Sequence, residues 1–225
     1  MPIPFVTTSV SAPSTWLPLR LLGSVLSIAV AAAMLAIMPG MAPEPDPAPR
    51  RWQLAIEPGP LRVASVDVAG QGRLSYFYFT YKVTNASGND LLFAPSFDLG
   101  VDAGPVRRSG RDVPADVTRQ ILADLESKDL QDQIGIVGML PQGEENAKEG
   151  VVVWPVNETH LAEVAVYAAG FSGEMRTVAT KDPKTGKSAS VTVRKTLMLR
   201  FQGPGDLKNV GSTPLPVIEQ RWIMR

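Results

Sequence analysis

Residues 73–83 read RLSYFYFTYKV, the strongest strand signal in the chain. Successive side chains of an extended strand point to opposite faces. Phe77, Phe79, Tyr81 and Val83 therefore share one face, and Tyr76, Tyr78, Thr80 and Lys82 share the other. Aromatic and β-branched side chains of this kind fit a pleated, half-buried surface better than a helix. A cluster of turn formers follows from Asn85 to Asp90. The stretch LLFAPSFDL, residues 91–99, then resumes the strand pattern, with Pro95 marking an edge or a bulge.

Working outward, the same alternation recurs on both sides. Upstream, Trp52, Leu54 and Ile56 form one apolar edge, and LRVASVDV, residues 61–68, is a second strand closed by Gly70-Gln71-Gly72. Downstream, strands are expected at 150–155 and 161–168, in the two arms of a hairpin at 174–180 and 188–201, and at 217–224. One segment has helical spacing instead. Pro114 suits a first helical position, Asp116 a first turn, and Val117, Ile121 and Leu125 recur every four residues, predicting a helix that ends near Lys128. Gln142 to Gly150 reads as a polar surface loop. About eight short strands and one short helix predict a mainly β protein, an antiparallel two-sheet sandwich.

The stretch YKVTNASGNDLLFAPSFDL, residues 81–99, resembles strands of immunoglobulin-like modules of bacterial envelope proteins. A Val-x-Asn strand end, a small polar turn and an apolar return strand recur in those modules. The resemblance covers about 20 residues. It implies an immunoglobulin-like antiparallel β-sandwich and a role in binding or spacing other components, and it carries over no functional residue. The Cys…Trp…Cys pattern of antibody-type domains is missing.

The N-terminal quarter has a different character. Residues 21–43 carry no charge, and LLGSVLSIAVAAAMLAIM, residues 21–38, is apolar apart from Gly23, Ser24 and Ser27. Eighteen helical residues span roughly 27 Å, close to the hydrocarbon thickness of a bilayer. The division expected is a tail at 1–16, a transmembrane anchor or cleaved signal at 17–38, a linker at 39–50 and a β domain at 51–225. Prolines at 39, 43, 45, 47 and 49 favour extended polyproline II, which makes the linker a semi-rigid spacer. An apolar segment ahead of a long domain normally exports that domain. The expected location is therefore the cell envelope, with the C-terminal domain outside the cytoplasm; after signal cleavage it would instead be secreted or periplasmic.

Composition narrows the chemistry. The 22 acids all follow residue 43, where they face 21 bases, a net of −1. That balance lacks the basic footprint of a nucleic-acid binder. With no Cys, the chain has no thiolate ligand, disulfide or cysteine nucleophile, and its one His, His160, cannot build a two-His metal site. The Gly170-Phe-Ser-Gly173 stretch lacks the spacing of a nucleophile elbow, and Gly70-Gln-Gly72 does not continue into a dinucleotide fingerprint. Asp67, Asp90, Asp98 and Asp102 are the acids that loops could gather around a calcium ion, but no Asp-x-Asp-x-Asp-Gly loop occurs.

The expected function is a non-catalytic, membrane-tethered binding or scaffolding module, without a cofactor, whose partner is a protein of the envelope. The alternative is an extracytoplasmic hydrolase using a carboxylate pair. Tyr76 and Tyr78 are the candidate partner-binding residues. If Phe77 and Phe79 face the core, these two point outward, and exposed tyrosines serve well as interface anchors; if the helix at 114–128 covers this face, they form a second core layer instead.

Overall fold

The computed structural model describes residues 52–102, 104–181, 186–207 and 210–225. The expected tail, anchor and linker lie outside these residues. Among those described, no helix is long and apolar enough to cross a membrane. The unit from Arg50 to Arg225 is mainly β, with several antiparallel sheets.

Twelve strands and one helix are described. They are β1 (Ala55–Val68), β2 (Gly72–Asn85), β3 (Leu91–Phe93), β4 (Ser96–Val101), β5 (Arg107–Arg108), α1 (Ala115–Asp124), β6 (Leu130–Gln131), β7 (Gly138–Leu140), β8 (Gly143–Pro155), β9 (His160–Ala169), β10 (Met175–Lys181), β11 (Ser188–Asp206) and β12 (Val217–Met224). One sheet runs β1-β2-β8-β6, where only the short β6–β8 pairing is parallel. A second runs β10-β11-β9-β4-β5, with β12 on the other side of β11. β3 and β7 pair separately.

The two large sheets share one core. Phe77, Phe79, Tyr81 and Trp154 from the first meet Phe97, Leu99, Val166, Leu199 and Phe201 from the second. The ring of Phe79 sits 6.0 Å from Phe97 and 6.4 Å from Phe201. At Gly150, opposite Tyr81 in the ladder, an added Cβ would stand 2.5 Å from the tyrosine Cζ. Glycine is what lets the phenol ring lie across β8. The buried Tyr81 hydroxyl has no hydrogen-bond partner among the described residues, and burial pushes its pKa up.

β2 is buried on both faces. Behind Tyr76 and Tyr78 lies α1, whose Val117 and Ile121 close a second apolar cluster with Val66, Val151 and Val153. Pro114 caps the helix in extended backbone, one residue ahead of the expected first turn, and Leu125 ends it three residues before Lys128. Of the two arrangements expected for Tyr76 and Tyr78, exposure to solvent is corrected and cover by the helix is what the structure has. They are 2% and 6% exposed, because an amphipathic helix needs an apolar floor and this sheet face supplies it.

Several strand boundaries also shift. The strand expected from Leu61 begins earlier, at Ala55, taking in only the end of the first upstream segment, and its pairing with β2 is irregular between Pro58 and Leu61. The segment at 91–99 splits at Ala94-Pro95 into β3 and β4, which belong to different sheets. Residues 143–149, expected in a loop, extend β8 along β2. The hairpin is the reverse of β2. All seven residues of β10 are exposed, as are the first five of β11, so this two-stranded arm has no core on either face.

Candidate functional site

β1 ends its sheet, so the side turned away from β2 carries no strand neighbour. At Leu61 this free side is met by a single contact, the Leu215 amide donating to the Leu61 carbonyl at 2.9 Å. In an antiparallel pair, alternate residues direct both N–H and C=O to the same side. Val63 and Ser65 therefore turn their backbone groups the same way as Leu61, into the space beyond.

That space is a cavity of about 470 Å³. Four consecutive β1 residues, Arg62 to Ser65, form its floor. The C-terminal turn of α1 supplies Ile121, Asp124 and Leu125 as one wall, and Val210 to Ser212 supply the other. Tyr78 and Arg73 reach it from β2. The result is a groove along a sheet edge, with an apolar helix wall and a polar floor. Its volume lies within the roughly 300–1,000 Å³ usual for ligand sites.

Register explains the arrangement. Arg62 stands directly opposite Tyr78, so both belong to the helix-facing side of the sheet, just beyond the end of α1. Tyr78 is buried by the helix, yet its side chain borders the cavity, and its hydroxyl makes no hydrogen bond among the described residues. The Arg62 Nε is buried without a partner among the described residues. A buried donor left unmatched costs roughly 1–3 kcal/mol. Neither Arg62, Arg73 nor Asp124 takes part in an ion pair among the described residues. Two guanidiniums against one carboxylate leave the groove with a formal charge of +1.

The other residues singled out in the sequence lie apart from this groove. Tyr76 is enclosed in the cluster beneath α1, and burial raises its pKa. His160 opens β9 as an exposed residue opposite Asp206. The four aspartates do not converge. Asp90 accepts the Gln142 amide, Asp98 pairs with Arg225 at 3.0 Å, and Asp102 accepts the amides of Ala162 and Glu163. Asp67 sits opposite Arg73, near the end of β1. No group of three or more potential metal ligands occurs among the described residues.

A separate charged group lies on the outer face of the second sheet, where Arg200 bridges Glu163 and Glu219. Hydrogen bonding to Arg200 holds the Glu163 carboxyl below its usual range and raises the arginine. With its donors committed to two carboxylates, Arg200 is a structural clasp between β9, β11 and β12.

Sequence reading singled out Tyr78 alone among the groove residues. The rest come from positions 62–65, 73, 121–125 and 210–212, and only the folded sheet edge assembles them. No family model matches the chain, and neither curated proteins nor solved structures show a significant match to it.

Proposed function

We propose that this protein is a non-catalytic binding module, an immunoglobulin-like β-sandwich held at a membrane by its N-terminal apolar segment and presented outside the cytoplasm by the proline-rich linker. One observation carries the binding reading. The groove on the edge of β1 gathers groups that are unpaired among the described residues, the buried Arg62 Nε and the Tyr78 hydroxyl, in a site bounded by apolar helix and open backbone. The buried Arg62 Nε gains from a ligand that supplies an acceptor, since the cost of leaving it unmatched is already part of the free protein.

The apolar run at 21–38 and the spacer after it support the tether. The two sheets that share a core support the sandwich. The reading is tested by comparing capture of envelope proteins from native membranes by the full chain and by its Arg62→Gln variant. A partner held by the wild type and released by the variant, with the melting temperature preserved, is the expected result. Equal capture by both would remove the groove as the binding seat. In the same preparation, the protein should stay with membranes through a salt wash. A soluble form with a new N-terminus near residue 43 would replace the anchor with a cleaved signal.

A further inference from the structure

We infer that the groove takes an extended peptide carrying a carboxylate side chain, which adds as a strand to the free edge of β1. This inference rests on the reading of the groove as the binding seat and names the class of ligand and the mode of its capture.

Three observations converge. First, the backbone donors and acceptors of Val63 and Ser65 face the cavity, as the Leu215 contact at Leu61 shows by alternation. A peptide laid along them would gain main-chain hydrogen bonds in the manner of strand addition. The start of β1, with Pro58, Gly59 and Pro60, is poorly suited to pairing, whereas Leu61 to Val68 contains neither proline nor glycine. Second, the edge is walled. Ile121 and Leu125 of α1 stand on one side and Val210 to Ser212 on the other, so a strand entering here buries side chains as well as pairing its backbone. The hairpin arm also has open edges, but no such walls flank it. Third, charge selects the ligand. Among the described residues Arg62 and Arg73 have no ion-pair partner, and the guanidinium fork matches a carboxylate in two parallel hydrogen bonds. Asp124 on the same rim disfavours a second acidic residue next to the first, which points to one carboxylate rather than an acidic run.

The test is selection of a random dodecapeptide display library on the full-length protein in detergent micelles, followed by affinity measurement with the selected peptides. Sequences alternating β-branched residues with a single aspartate or glutamate should be enriched. Ser65→Pro removes the outward N–H without touching the ladder to β2, and should weaken binding at least tenfold. Arg62→Gln together with Arg73→Gln should do the same, and replacing the peptide carboxylate by its amide should be costly only on the wild-type protein. Selected peptides that bind the Ser65→Pro variant as well as the wild type would overturn strand addition. Binding of inorganic phosphate with no peptide enriched would overturn it in favour of a small-anion site. Membrane capture that still depends on Arg62 would, in either case, leave the binding-seat reading standing; capture that ignores Arg62 would end both.

Discussion

β2 and the outer part of β11 are both regular antiparallel strands, yet one is buried on both faces and the other on neither. In β2, Phe77, Phe79 and Tyr81 fill the core between the sheets while Tyr76 and Tyr78 lie beneath α1. In the arm, Val178 and Val191 stand opposite one another, 42% and 50% exposed. Both stretches alternate, so alternation does not reveal what covers a strand. Burial depends on which other elements arrive, and only β2 receives two.

The contrast is sharpest in stability. Phe79→Ala, at the centre of the shared core, should lower the unfolding free energy by about 3–5 kcal/mol in denaturant titration. Val178→Ala with Val191→Ala in the arm should change it by no more than about 0.5 kcal/mol. Comparable losses at the two places would mean that the arm is packed against something in the native protein. The next effect concerns the helix-covered face. Tyr76→Ala with Tyr78→Ala should cost several kcal/mol, of the size expected for truncating buried aromatics. An unchanged melting temperature would return the pair to solvent. Tyr78→Phe should be nearly neutral, since the hydroxyl it removes has no partner among the described residues.

Much of the strand pattern was legible because strands that pack one face on a core show it as period two. β12 follows its expected bounds, and β2 and β9 extend theirs by a few residues. Legibility failed where the partner is a matter of tertiary arrangement. Of residues 143–149 only Gly143, Lys148 and Glu149 stand opposite β2 residues, and the register shifts between them, so the stretch shows no apolar alternation. The apolar stretch at 91–99 is continuous in sequence but serves two sheets. The helix was visible in its spacing, but whether it covers Tyr76 and Tyr78 depends on where it docks, which alternation does not show. The groove was hidden for the same reason. Its floor and its two walls are separated by tens of residues, and its edge exists only because β1 ends the sheet.

A smaller effect probes the outer face of the second sheet. The Glu163 carboxyl is held below its usual range in the folded protein by Arg200. Its contribution is therefore present above the unfolded glutamate pKa and is lost as pH falls through the lower folded value. Side-chain NMR titration should find Glu163 ionising below an ordinary glutamate, and Arg200→Gln should return it to the ordinary range. A normal value in the wild type would mean that the clasp is open in solution.

The free edge of β1 is the proposed seat of a partner. Backbone amide exchange of Val63 and Ser65 measures that edge directly, because in the free protein these amides face the groove. With a selected carboxylate-bearing peptide bound, the account predicts that both amides become protected, while the exposed arm amides from Thr177 to Ala179 keep their rates. Protection that appears elsewhere while Val63 and Ser65 continue to exchange as in the free protein would contradict it.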